Sequence, residues 1–381
     1  MYQNIIAQNQ AWIDEVCAKM DKKLQKVAVR SRDKIPYTAD KNGVHDNVVD
    51  GASKFNINWW TNGFWGGMMW LLYEATGNEV YKDAAKSSEK MMDKAFEYFD
   101  RLHHDVGFMW HILSGASYRL TGDKESRNRD LLAASVLSGR YNLSGGFIRA
   151  WNDDKVGWTI IDCMMNIPQL YFASKETGDS RYKQIAMAHA DMAMRDHVRP
   201  DGSMVHICVH DIETGDVIET LGGQGYEVGS CWSRGHAWGL YGFILSYIHT
   251  GKKEYLDTAK KVAHYYIANA TMDDYLPLVD YRAPAEPKMY DATAAAISAC
   301  GLIEIAKNVP EHEKRLYLTA AIKTLKAIEA WCDFDENTDP LLLNGTGAYH
   351  DKGSLHIPII YGDYFFVEAM LKLKGREFLP W

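Results

Sequence analysis

The chain has 381 residues, 47% of them hydrophobic and 24% charged, with a formal net charge of −8. A large buried core is within reach of that composition, and an acidic chain with scattered Lys and Arg argues against a nucleic-acid partner. None of the six cysteines stands in a CxxC pair, no basic-then-apolar leader opens the chain, and the apolar stretch Ala237 to Ile248 is shorter than the roughly 20 residues of a membrane span. These features predict a soluble, cytoplasmic protein with free thiols, without a membrane partner, acting as a monomer or homodimer.

In chain order, Ile6, Trp12, Ile13, Val16, Met20 and Leu24 have helical spacing, so a helix is predicted over Ile5 to Val29. A polar stretch without periodicity, Ser31 to Phe55, reads as extended. A second helix begins near Gly63 and ends at Thr76-Gly77, and that ending recurs at Thr121-Gly122, Thr177-Gly178 and Thr250-Gly251. Glycine just past a helix end supplies a left-handed stop, and a short polar turn then starts an antiparallel neighbour. The unit is a helix hairpin. Ala292 to Ala306 with Glu311 to Trp331 makes another, and Tyr364 to Lys374 is a final helix. Strand patterning is sparse: Ser203 to Val209 and Asp216 to Thr220 predict one small β-hairpin.

Repeated hairpins predict one all-helical domain spanning residues 1–381, either an open solenoid or a closed double ring. Long loops rich in Gly, Trp, His and Asp lie on the side away from the Thr-Gly turns, which favours closure and one active face. With 12 Trp and 22 Tyr, many near glycines, that face suits flat sugar rings, although buried Trp also simply fills cores.

Within those loops the run Gly157 to Leu170 holds one carboxylate, Asp162, among apolar residues. Burial would keep such a group protonated, as a general acid requires; the bland alternative is a helix cap, with Pro168 bending the helix later. Asp105, in His103-His104-Asp105, is a second acid, unless that run is a helix C-cap cluster. His206, His210 and Asp211 have a spacing that a metal site could use. On a strand pair, however, His206 and His210 would stand about 13 Å apart, so no metal or other cofactor is expected. Gly222-Gly223-Gln224-Gly225 lacks the strand and the Lys-Ser/Thr of a phosphate loop. Ser230 to Trp238 mixes Trp232, Arg234, His236 and Trp238 into one helix start, where Arg234 would need an anionic partner.

These segments resemble glycoside hydrolase family 88, the unsaturated glucuronyl hydrolases. The residues that carry the likeness are Trp60 to Trp70, His104 to Phe108, Ile160 to Pro168, Gly223-Gln224-Gly225, Ser230 to Trp238 and Tyr361-Gly362-Asp363-Tyr364. The resemblance implies an (α/α)6 barrel and hydration of the C4=C5 double bond that polysaccharide lyases leave on a terminal uronate. It implies Asp162 as general acid/base with Asp105 as its partner. It places His206, Gln224, Trp232, Arg234 and Trp238 around the uronate, Trp60 and His104 in the same pocket, and Trp151 against the leaving sugar. Unsaturated chondroitin or hyaluronan disaccharides are the expected substrates. An unsaturated rhamnogalacturonyl hydrolase, or a sugar epimerase with His206 and His236 as acid–base pair, is the alternative on the same barrel. His236 stands where the family often has Gln, and Tyr349 to Ser354 departs from the Ser-rich, Lys-containing loop of sulfate-accepting members.

Overall fold

The computed structural model describes residues 2–49, 51 and 53–381. Met1, and Asp50 and Ala52 of the expected extended stretch, lie outside the described residues. The helices in chain order are α1 (Tyr2–Arg30), α2 (Phe64–Thr76), α3 (Glu79–Met92), α4 (Ala116–Thr121), α5 (Lys124–Ser138), α6 (Pro168–Thr177), α7 (Ser180–Asp196), α8 (Ser233–Thr250), α9 (Lys253–Ala270), α10 (Ala292–Asn308), α11 (Lys314–Glu329) and α12 (Ile360–Leu373). A buried π-helix, Gly107–Gly115, runs directly into α4.

The Thr-Gly endings have a local cause. At each of the four, the Thr hydroxyl donates to the carbonyl four residues back and accepts the amide two residues on, as Thr76 does with Leu72 and Asn78. The glycine between takes φ of +70° to +75°, a left-handed conformation that costs it little. Asn78, Asp123 and Asp179 then cap the next helix through their side chains. Two orphan helix ends are thus satisfied within a few residues, and the chain reverses.

The reversals alternate inner and outer helices. The inner ring is α2, the π-helix with α4, α6, α8, α10 and α12, each touching the next and α12 touching α2. The outer helices are α3, α5, α7, α9, α11 and α1, and the sixth hairpin pairs the last inner helix with the first helix of the chain. This is a closed six-hairpin toroid. The inner helices α8 and α12 are buried all round: in α8 every residue from Ser233 to Ser246 is buried, and in α12 every residue is.

Five short strands decorate one face: β1 (Tyr141–Asn142), β2 (Phe147–Ile148), β3 (Trp158–Ile160), β4 (Ile207–His210) and β5 (Val217–Leu221). The predicted hairpin is β4–β5, but β4 also pairs with β3, and β1–β2 is an additional hairpin. All six cysteines are free. No helix among the described residues is long and apolar enough to cross a membrane.

Candidate active site

The register of β3 with β4, Thr159 opposite Cys208 and Ile160 opposite Ile207, sets the site. Beyond the strand the Ile161 amide still donates to the His206 carbonyl at 3.1 Å, and the chain then tightens into a 3-10 turn, Ile161–Met165. Asp162 therefore lies in the first turn and Ile160 holds the cap position, so the helix-cap reading fails. Pro168 does not bend a helix either; it opens α6. The same register brings His206 Nε2 to 3.7 Å from Asp162 Oδ2.

Asp105 arrives from the other side, two residues before the π-helix, and is no helix cap: the preceding helical segment, Asp93–Arg101, closes at Leu102. One side chain joins the two acids. Asn166 Nδ2 donates to Asp105 Oδ1 at 3.1 Å and to the Asp162 carbonyl at 3.3 Å, while its Oδ1 accepts the Phe108 amide at 2.8 Å. Gly107 permits this approach, since a Cβ there would lie 2.7 Å from the Asn166 Cα. Asn166→Ala is expected to lower kcat at least tenfold without abolishing folding, measured by steady-state kinetics alongside a urea unfolding curve.

Both acids are nearly sealed from water, Asp105 at 7% and Asp162 at 9% exposure. Burial raises Asp162 to about 7, against the Arg234 charge, its own backbone amide and the Trp238 indole. Burial holds Asp105 well above the carboxylate range, and the Asp162 charge adds to this against the Asn166 hydrogen bond and Arg140. The raised value of Asp162 is thus a desolvation effect, as expected for a carboxylate among apolar residues, and the Asp162 charge acts instead on Asp105. His206 is pushed down to about 3 by burial, so it stays neutral beside the pair. Its Nδ1 lies 3.1 Å from the Gln224 amide and 3.2 Å from the Gly222 carbonyl, and its Nε2 faces Asp162.

The two acids open into a cavity of about 310 Å³, a size suited to a small ligand. Trp60, His104, Trp151, Gln224 and Arg234 line it with them, joined by Tyr37, Lys54, Trp59, Ala348, Asp351 and Tyr361. Trp232 and Trp238 stand behind this lining. Trp232 packs 4.3 Å from the His206 ring and 4.4 Å from the Arg234 guanidinium, and Trp238 wedges between Trp60, Phe108 and Tyr361. Trp151 sits edge-on to His104, and the amide of His104 bonds the carbonyl of Ala150. Arg140 shapes this wall by donating to the carbonyls of Ala150 and Trp151 and to Asn152.

Arg234 has its anionic partner within the protein. Its Nη1 donates to Asp291 Oδ2 at 2.8 Å and to the Thr346 carbonyl, and Nη2 to the Gly347 carbonyl at 2.6 Å. Asp291 simultaneously caps α10. Asn166 and Asp291 carried no local signal, because Asp105 and Arg234 lie 61 and 57 residues from them, and Arg140 acts across the β1–β2 hairpin.

The metal arrangement considered in sequence does not form, since His206 faces Asp162 while His210 Nε2 meets Asp196 at 3.1 Å. His103, His104 and Asp105 do place one donor atom each within 4.8 Å of one another, so they could hold a divalent ion. The epimerase pair is absent: buried His236 packs on Tyr265 and Tyr281 and faces the Gly202 carbonyl, away from the cavity. Gly66 serves close packing, as a Cβ would lie 2.4 Å from Leu113.

Comparison with known proteins agrees with this geometry. Residues 12–244 match the family model Glycosyl Hydrolase Family 88. The chain is 36% identical to an unsaturated glucuronyl hydrolase of Bacillus sp. (strain GL1), over 86% of this chain and 90% of that protein. It is also 36% identical to an unsaturated chondroitin disaccharide hydrolase of Streptococcus pyogenes serotype M1, over 82% and 80%. The crystal structure of the unsaturated glucuronyl hydrolase from Bacillus sp. GL1 superposes with a TM-score of 0.87 at 32% identity, covering 95% of this chain and 97% of that one. The chain belongs to glycoside hydrolase family 88.

Proposed function

We propose that this protein hydrolyses unsaturated uronyl oligosaccharides made by polysaccharide lyases, with chondroitin- or hyaluronan-derived disaccharides as substrates. The observation that carries this reading is the pair Asp105 and Asp162, buried in one cavity and bridged by Asn166. A terminal uronate with a C4=C5 double bond is an enol ether, activated by protonation at C4. Asp162, raised to about 7, donates that proton and C5 becomes oxocarbenium-like. The resulting Asp162 carboxylate takes a proton from water as the water adds to C5. The hemiketal opens, and the anomeric centre releases the leaving sugar.

Burial and the Asp162 charge both oppose ionisation of Asp105, which disfavours a second negative charge beside the developing carboxylate. Neutral His206 stands with Nε2 3.7 Å from Asp162 Oδ2 and does not compete for the proton. Trp60, stacked 5.0 Å from Tyr361, supplies an apolar wall for the uronate ring, and Trp151 with Lys155 over its face borders the leaving sugar.

The test is incubation with a lyase-made disaccharide: loss of the double-bond absorbance in step with release of the amino sugar is expected, and stable absorbance across several leaving sugars would refute the reading. The pH dependence has a defined sign. The donor must be protonated, so the rate is sustained below about pH 7 and falls as pH rises through the Asp162 value. A pH–rate profile of kcat checks this.

A further inference from the structure

Two loops leave the cavity wall side by side, and neither is used further by the chemistry above. Gln224 on the first and Ala348 and Asp351 on the second are wall residues. Three hydrogen bonds stitch the loops together: Gln224 Nε2 to the Gly347 carbonyl at 2.8 Å, the Tyr349 amide to the Gln224 carbonyl at 2.9 Å, and His350 Nε2 with the Tyr226 carbonyl at 2.7 Å. The first loop is also held from beneath, because Asp280 accepts from the Tyr226 amide, the Ser230 hydroxyl and the Cys231 amide. Such a frame is fixed before any ligand arrives, which lowers the ordering cost of binding.

Just beyond the wall residues this frame carries three aromatic rings. Tyr226 and Tyr349 have centroids 5.0 Å apart, Tyr349 and His350 5.0 Å, and Tyr226 and His350 6.0 Å. The tyrosines are half-buried and His350 is exposed. Among the described residues neither tyrosine hydroxyl has a hydrogen-bond partner. The rings meet edge-on, at 65° and 68°, so apolar ring surface and two unpartnered phenol hydroxyls stand side by side. A pyranose offers the matching surface, with an apolar C–H face and hydroxyls at its rim.

We propose that Tyr226, Tyr349 and His350 form an additional sugar subsite that holds the saccharide residue next beyond the leaving sugar. This rests on the functional reading above, in which the unsaturated uronate takes the closed end of the cavity and the rest of the oligosaccharide leads outward. The consequence is a preference for chain length: an unsaturated tetrasaccharide reaches the rings and a disaccharide does not.

The experiment compares kcat/KM for an unsaturated tetrasaccharide and disaccharide from the same chondroitin lyase digest, in the wild type and in Tyr226→Ala, Tyr349→Ala and Tyr349→Phe. The wild type is expected to favour the tetrasaccharide. Each alanine variant should lower the tetrasaccharide-to-disaccharide ratio about fivefold, or about 1 kcal/mol, mainly through KM. Tyr349→Phe, which keeps the ring, should retain most of the preference and covers the case in which an alanine variant does not fold. Turnover of both substrates with an unchanged ratio in both alanine variants, or a wild type indifferent to length, would overturn the subsite alone. No turnover of either substrate by the wild type would overturn the functional reading and the subsite with it.

Discussion

Asp162→Asn is expected to leave substrate binding intact and to lower kcat by about 10³-fold, within the range set by removing a positioned proton donor. Asparagine keeps the size of the side chain in a site where it is 9% exposed, so the cavity retains its shape. What disappears is the transferable proton. Stability gives an independent check. The folded Asp162 value, about 7, lies above its unfolded value of about 4. Between those values the native state binds more protons than the unfolded chain, so the wild type loses stability as pH rises from about 4 to about 7. The asparagine variant lacks this contribution, and its unfolding free energy should show a correspondingly smaller decline over that window. Retained turnover in Asp162→Asn would move the proton donor to Asp105.

Asp291→Asn should produce the largest loss of stability, about 3 kcal/mol, read from the shift of a urea unfolding curve. Arg234 is 1% exposed and pairs with Asp291, so removing the negative charge strands a buried cation. Asparagine is as good an N-cap as aspartate, which separates loss of the ion pair from loss of the cap of α10. The loop carbonyls of Thr346 and Gly347 also rest on Arg234, so the cavity wall should loosen with the pair. Replacing Arg234 and Asp291 together by apolar residues of similar volume should recover part of the stability, but not the wall.

How much of this was legible in the sequence depends on distance along the chain. The hairpins were, because a Thr-Gly ending followed by Asn or Asp satisfies both helix termini within a few residues. The sixth was legible only as a final helix to be paired with an earlier one; that its partner is the first helix was not, since no connecting turn joins them. The π-helix Gly107–Gly115 escaped because every residue in it is buried, which erases any amphipathic period. Strand β3 is three residues long within a nearly continuous apolar run, where periodicity cannot separate strand from helix.

The same division holds for the site. Asp162 stood out as a lone carboxylate among apolar residues, and burial does raise its pKa. The partner of Arg234 was expected in kind but not in identity, because Asp291 lies 57 residues away. Asn166 was visible only as a polar residue in the same turn, and its bridge spans 61 residues to Asp105. Trp232 and Trp238 fell in the right segment, yet both stand behind the wall, Trp232 at the cap position before α8 and Trp238 within the helix.

The central claim is that Asp162 protonates C4 of an enol ether, and proton NMR of the reaction in D2O tests it directly. With the wild type, the C4 vinyl proton signal of the unsaturated disaccharide should vanish at the rate of amino-sugar release, with deuterium entering C4; with Asp162→Asn, neither change should occur. Release of the amino sugar while the vinyl signal persists would show cleavage at the anomeric carbon and contradict the account.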